Sequence, residues 1–274
     1  MRVPFTKMEG AGNDYVFVDA IRDEFPLERA NELARRWSDR HFGIGADGLI
    51  LLRQSRVAAV AMAMWNADGS VGSMCGNGLR CLAVLARTHG HVDSDAFAVE
   101  TAAGRRDVRL ERDAAGTIVE VHTDLSPVTV ELQPRSLTVL GHRIDYRRGD
   151  AGNPHAVVLL DVDPESFPVQ AIGECMQQHA DFPGGVNVEF VQVRSDGSLY
   201  QRTFERGSGE TLACGTGAAV AALCALQLGL VKGPEVLVRL RGGRLRIARH
   251  ERSLVIAGPA STVFRGEIDL RPEY

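Results

Sequence analysis

Cys75-Gly76-Asn77-Gly78 and Cys214-Gly215-Thr216-Gly217 are one short phrase written twice in a chain of 274 residues. Each opens a helix-like run, Leu79 to His89 and Ala218 to Leu228, and each run is stopped by a glycine, Gly90 or Gly229. The echo extends outward. Asn66 lies nine residues before Cys75, and Glu205 lies nine before Cys214. Gly12-Asn13 precedes the apolar run Tyr15 to Val18, as Gly152-Asn153 precedes Ala156 to Leu160. Gly45-Ala46-Asp47 has its partner in Gly185-Val186-Asn187. The offsets are 140 for Asn13/Asn153, 140 for Asp47/Asn187 and 139 for Cys75/Cys214. A nearly constant offset predicts a duplicated half with one cysteine per copy. Two pseudo-symmetric lobes follow, residues 1–130 carrying Cys75 and 131–274 carrying Cys214, with the final strands able to cross back to the first lobe.

Periodicity predicts similar elements in both halves. Arg2 to Lys7, Tyr15 to Ala20, Leu49 to Leu52 and Val57 to Trp65 read as strands, and Pro26 to Asp39 as an amphipathic helix. Ala96 to Thr101, Arg106 to Glu111 and Thr117 to His122 are further short strands. Pro127 and Pro134 bracket a connector. In the second half, strands are predicted in 136–146, 155–160, 186–193 and 199–204, with a helix in 164–179. Residues 236–241, 244–249, 253–257 and 262–267 read as a closing antiparallel meander. The pattern is not strictly alternating βα, so an α+β fold is expected: mixed sheet wrapped around a central helix in each lobe, with the active site in the cleft between lobes.

Composition bounds the function. The chain is 45% hydrophobic and 24% charged, with net charge −4 and pI about 6.1. No global basic field recruits nucleic acid. The longest apolar stretches, Ala58 to Trp65 and Ala218 to Leu226, are too short to span a bilayer. Met1-Arg-Val-Pro-Phe5 leads into a mixed strand and not into a signal-peptide core. Five cysteines without a CxxC pair suggest neither a disulfide framework nor a zinc cage. The expectation is a reduced cytoplasmic protein with no metal, whose cysteines are buried fillers or reactive groups.

A cysteine at a helix N-terminus meets unpaired backbone N–H groups and a partial positive charge, which lowers its pKa towards neutrality. The glycines after it let an anion approach the backbone. One such motif is weak, because cysteines are often buried. Two at matching places in a repeat point to paired chemistry. Disulfide exchange usually uses CxxC within one lobe, and acyl transfer needs only one nucleophile. Racemisation or epimerisation needs an acid and a base of like kind on opposite faces of a stereocentre, which two thiols supply. Two helix N-termini would also hold a carboxylate on which carbanion charge develops, each well-placed donor contributing roughly 3–4 kcal/mol. Asn13, Asn66, Asn153 and Asn187 at repeat-related turns suit a ring of amides around a small zwitterion, and Arg206 suits a bidentate clamp on a carboxylate. His155 and Glu205 are candidates to tune the thiols.

The chain resembles the diaminopimelate epimerases, the pyridoxal-independent enzymes of lysine and cell-wall precursor synthesis. The resemblance rests on Lys7-Met-Glu-Gly-Ala-Gly-Asn-Asp14, Asn66-Ala-Asp-Gly-Ser70, Met74-Cys-Gly-Asn-Gly-Leu-Arg-Cys81, Gly152-Asn-Pro-His155 and Glu205-Arg-Gly-Ser-Gly-Glu-Thr-Leu-Ala-Cys-Gly-Thr-Gly217, and it covers nearly the whole chain. It implies Cys75 as proton donor and Cys214 as proton acceptor, with His155 and Glu205 adjusting the cysteine pKa values. It implies Asn13, Asn66, Gly76, Asn77, Asn153, Asn187, Glu205, Arg206, Gly215 and Thr216 as substrate contacts. It also implies diaminopimelate as substrate, no cofactor, and a homodimer whose lobes close over the substrate. Gly48 departs from the family, which often carries Gln there. Cys81, Cys175 and Cys224 fall outside the pair. The rival readings are a proline or hydroxyproline racemase, which usually has His where Asn77 stands, the isomerase of phenazine synthesis, which lacks the cysteine pair, and a non-catalytic amino-acid-binding or thiol-redox module.

Overall fold

Strand alternation decides which helix each side chain meets. In the computed structural model, which describes residues 2–125, 127–250 and 253–270, Tyr15 and Phe17 face one helix while Val16 and Val18 face another. The first half runs β1 (Arg2–Gly10), β2 (Asn13–Asp19), α1 (Ala30–Ser38), β3 (Gly48–Arg53), β4 (Val60–Asn66), β5 (Val71–Gly72), α2 (Gly76–Thr88), β6 (Ala96–Thr101), β7 (Gly104–Arg112) and β8 (Ile118–Leu125). Then follow β9 (Thr129–Val130), β10 (Arg135–Val139), β11 (His142–Asp150), β12 (Pro154–Leu159), α3 (Val169–Gln177), β13 (Asn187–Val193), β14 (Leu199–Glu205) and β15 (Gly209–Thr211). The chain continues with α4 (Gly215–Gln227), β16 (Glu235–Leu240), β17 (Gly243–His250), β18 (Ser253–Gly258) and β19 (Ser261–Asp269). It divides into two compact units, Met1–Thr123 with Gly258–Tyr274, and Asp124–Ala257.

The first unit's sheet has the order β19-β1-β2-β3-β4-β6-β7-β8, with β5 added to β4. Its parallel pairs are β2–β3 and β4–β6. Parallel neighbours need a crossover, and α1 and α2 supply the two. The second unit repeats this: β11-β12-β13-β14-β16-β17-β18, with β15 on β14, parallel pairs β12–β13 and β14–β16, and α3 and α4 in the crossovers. The duplication seen in the motifs is therefore a duplication of topology.

One sequence-based expectation is corrected. β16, β17 and β18 form a meander, but β19 leaves it and pairs antiparallel with β1, from Arg2↔Asp269 to Glu9↔Ser261. An uncovered β1 edge would present unpaired backbone groups, and β19 covers it. The range 164–179 holds a helix as expected, and Pro168 separates a 3-10 turn at Pro164–Ser166 from α3.

Each unit has a helix in the curve of its sheet. Leu79, Leu82, Leu85 and Ala86 of α2 pack with Met8, Tyr15, Phe17, Ile50, Leu52, Met62, Val99 and Val108. Full burial of one such leucine contributes about 2 kcal/mol. α1 covers the opposite face through Leu33 and Trp37 on Val16, Leu49 and Leu51. In the second unit α4 is buried almost all round by small residues, Gly217 to Ala222 among them, which lets the strands approach closely. α3 packs Val169, Ile172 and Met176 on Val188, Phe190 and Phe204. No helix among the described residues is long and apolar enough to cross a membrane.

Candidate active site

In the first unit Cys75 is the N-cap of α2. Its backbone is extended (φ −128°, ψ 121°), and its Sγ accepts from the Gly78 N–H at 3.4 Å. The thiol also donates to Asn13 Oδ1 at 3.1 Å, which takes a second bond from Asn77 Nδ2 at 3.2 Å. Asn13 is held in turn by its Nδ2 on Asp47 Oδ2 at 2.6 Å. The β1–β2 hairpin aims it: the two loop residues, Ala11 (φ 55°) and Gly12 (φ 82°), are both left-handed. A non-glycine in that conformation costs about 1 kcal/mol, here at a residue beside the site. Gly76 has open space where a side chain would stand. Asn66 is exposed and bonds Ser70 Oγ at 2.9 Å. A Cβ on Gly48 would stand 2.2 Å from the Trp65 carbonyl oxygen, so no side chain fits there on this backbone.

In the second unit Cys214 caps α4 in the same way (φ −121°, ψ 110°), with Gly217 N–H and Thr216 Oγ1 each 3.4 Å from Sγ. Around it lies a buried polar cluster. His155, from β12, has Nδ1 2.7 Å from Glu189 Oε1 and Nε2 3.0 Å from Asn153 Oδ1. Thr203 Oγ1 and Gln201 Nε2 donate to the other Glu189 oxygen at 2.6 and 2.9 Å. The β13–β14 register sets Glu189 opposite Thr203. An ionised carboxylate only accepts, so Nδ1 carries the proton in this pair. Glu205, at the end of β14, accepts from Thr211 Oγ1 at 2.5 Å and is hydrogen-bonded to Cys214. Asn187 binds the backbone on both sides: Nδ2 donates to the Pro154 carbonyl at 3.1 Å, and Oδ1 accepts the Arg206 N–H at 2.9 Å. The Arg206 side chain is exposed, with Nη1 3.4 Å from the Gly184 carbonyl.

One electrostatic expectation is corrected. An N-cap position alone predicts a lowered thiol pKa. Burial, and then the charges of Glu205 and Glu189, push the Cys214 thiol well above its ordinary range, and the Thr216 and Gly217 hydrogen bonds do not cancel them. A helix terminus carries only about half a charge, against two full carboxylates. Burial and the Glu189 charge also raise Glu205, despite its bonds to Thr211 and Cys214.

Arg80 touches Asn77 and Glu189 touches His155, and neither is singled out by sequence reasoning. Arg80 is fully buried, donates from Nη2 to Asn77 Oδ1 at 2.6 Å, and binds the Pro259 carbonyl through Nε at 3.2 Å. Arg80 lies inside a quoted motif, one helical turn after Asn77. Glu189 carries a weaker signal, a lone charge within the apolar run 186–193. Cys81 and Cys224 are buried in α2 and α4, and Cys175 is half-buried in α3.

Three groups among the described residues gather metal-capable side chains: His155-Glu189-Cys214, Asp19-His89-His91 and Glu111-Glu120-His122. In the second, both rings bond one Asp19 oxygen, at 2.7 and 2.6 Å. Ligands of one tetrahedral zinc stand about 3.3 Å apart, so this cluster is a hydrogen-bonded clamp from β2 to the end of α2.

A family model described as diaminopimelate epimerase matches residues 5–127 and 149–263. The chain belongs to the diaminopimelate epimerase family. Among curated relatives, a diaminopimelate epimerase of Leptospira biflexa is 40% identical over 284 residues, covering 98% of this chain and 100% of its own. One from Methanococcus maripaludis is 39% identical over 280 residues, covering 97% and 99%. Two solved structures share the fold. A Bacillus anthracis phenazine biosynthesis protein of the PhzF family gives a TM-score of 0.76 at 15% identity, covering 98% of this chain and 100% of its own. A hydroxyproline epimerase from Agrobacterium vitis gives 0.72 at 19%, covering 99% and 94%. As expected, this diaminopimelate epimerase family member is a two-unit α+β protein.

Proposed function

We propose that this chain interconverts LL- and meso-2,6-diaminopimelate, in lysine and peptidoglycan precursor synthesis, by proton transfer at Cα between two thiols. The observation that carries the reading is a cysteine N-cap on the equivalent helix of each duplicated unit, followed in both cases by Gly-x-Gly. In one direction the Cys214 thiolate takes the α-proton and becomes a thiol. Charge moves onto the substrate carboxylate, where N–H groups of Gly76-Asn77 and Gly215-Thr216 receive it. The Cys75 thiol returns a proton to the opposite face and becomes a thiolate. The reverse direction exchanges the roles, so the scheme needs no pyridoxal phosphate.

Cys214 must first lose its own proton. Glu205, hydrogen-bonded to it and itself raised, is the group fitted to receive that proton, with His155 beside both. Asn13, Asn66, Asn153, Asn187 and Arg206 complete the substrate contacts in this proposal, several of them on the distal amino-acid end. A cytoplasmic homodimer is part of the same proposal. Light scattering on purified protein then gives twice 29.7 kDa.

Incubating reduced protein with LL-diaminopimelate in deuterium oxide tests the reaction. The expected result is deuterium at Cα together with the meso isomer. No exchange refutes the proposal, and prompt exchange into proline instead supports a racemase.

A further inference from the structure

Asn153, just before β12, and His155, on it, stand two residues apart and touch each other, and His155 lies beside Cys214. Subtracting the repeat offset of 140 places Asn13 and Tyr15 at the same two positions in the first unit. The chemistry there is parallel. Tyr15 is buried on β2 at 5% exposure, in the core against which Cys75 packs, and the Cys75 charge acts on its hydroxyl. Its ring packs in the same core as α2, edge-on to Phe17. Gly48 makes room: a Cβ there would lie 3.0 Å from Tyr15 Cε1.

We propose that Tyr15 is the first unit's counterpart of His155, a positioning residue whose phenol donates a hydrogen bond to the Cys75 thiolate. The idea rests on Cys75 acting as an acid and base in the reaction above. The two units would then tune like thiols by unlike means. Cys214 has a carboxyl and an imidazole beside it, Glu205 and His155. Cys75 has a donor that keeps its proton: burial, then the charges of Cys75 and Asp47, hold the Tyr15 hydroxyl well above its ordinary range. The Arg80 guanidinium and the Cys81 thiol, both on α2, also interact with Cys75. In this arrangement the Tyr15 O–H joins the Gly78 N–H, 3.4 Å from Sγ, as a donor to the thiolate.

Tyr15→Phe removes one oxygen and keeps the ring against Gly48. A hydrogen bond to a charged group is worth about one to two pH units of thiolate titration. The test is the pH profile of iodoacetamide alkylation at each cysteine, read site by site by mass spectrometry on the substrate-free full chain. The expected result is a shift of the Cys75 profile upward by about one unit or more, a roughly tenfold slower reaction below its midpoint, with the Cys214 profile unmoved. Superposable Cys75 profiles in wild type and Tyr15→Phe overturn the proposal, as does an equal shift at both cysteines. This readout needs no turnover, so it stands apart from failure of the epimerase reading. If that reading holds, the acid limb of kcat/KM moves up by the same amount.

Discussion

Gly217 is the last glycine of the second Cys-Gly-x-Gly, and a methyl group there should be among the most damaging small changes in the protein. Its Cβ would lie 2.2 Å from Glu189 Oε1, 2.3 Å from Cδ and 2.5 Å from Oε2. A carbon–oxygen contact needs about 3.3 Å, so the carboxylate or the first turn of α4 must move by about 1 Å. The carboxylate is not a loose end. It is fully buried and receives bonds at 2.7, 2.6 and 2.9 Å from His155, Thr203 and Gln201. Stretching these by about 1 Å breaks them. Hydrogen bonds to charged groups contribute about 1.5–3 kcal/mol each, and losing two of the three gives about 3–6 kcal/mol. At about 2–4 °C per kcal/mol the unfolding midpoint falls on the order of 10 °C. The control is Gly76→Ala, where a Cβ meets nothing within 4 Å. Thermal and urea unfolding of both variants decide the matter. If Gly217→Ala unfolds within about 1 kcal/mol of wild type, Glu189 is not pinned beneath α4 and the reasoning fails.

Other outcomes are as specific. Glu189→Gln keeps the shape but faces an amide N–H towards one of three donors, so stability falls by about 2–3 kcal/mol and the pH profile of kcat/KM changes on the limb set by Cys214. An unchanged profile would show that His155 does not depend on Glu189. Cys75→Ser and Cys214→Ser should each lower epimerisation by orders of magnitude, on the order of 10³ or more. Near-wild-type turnover in either single variant refutes the two-thiol scheme. Arg241 first, then Tyr200, hold the Glu165 carboxyl at about 2, against an ordinary 4.5. A lowered folded pKa adds stability that is complete above the ordinary value and is lost as pH falls through 4.5 towards 2. The pair is largely exposed, so the effect is modest and salt-screened. Arg241→Gln should flatten the acid loss in that window in urea titrations, and an unaltered slope would discard the pairing.

Much was legible because the chain repeats itself. Cysteine at an N-cap, glycines behind it and a constant offset are local features, and both caps form where the motifs place them. Periodicity likewise located α2 and α4 and most strands within a few residues. One strand pairing was not legible. β19's partner β1 lies at the far end of the chain, and no pattern within 262–267 encodes it. Pro168 sets where α3 begins inside the expected range 164–179.

Electrostatics divided the same way. The sequence alone determined the duplicated topology, the paired thiols and the family, because these depend on residue type and spacing. Tertiary structure alone decided what surrounds each thiol. Glu189, on β13, lies beside Cys214 at the start of α4, and Asn13, at the start of β2, accepts from the Cys75 thiol at the start of α2. A pKa is set by burial and by charges brought together in space, and residues separated by tens of positions meet only when the sheet has formed.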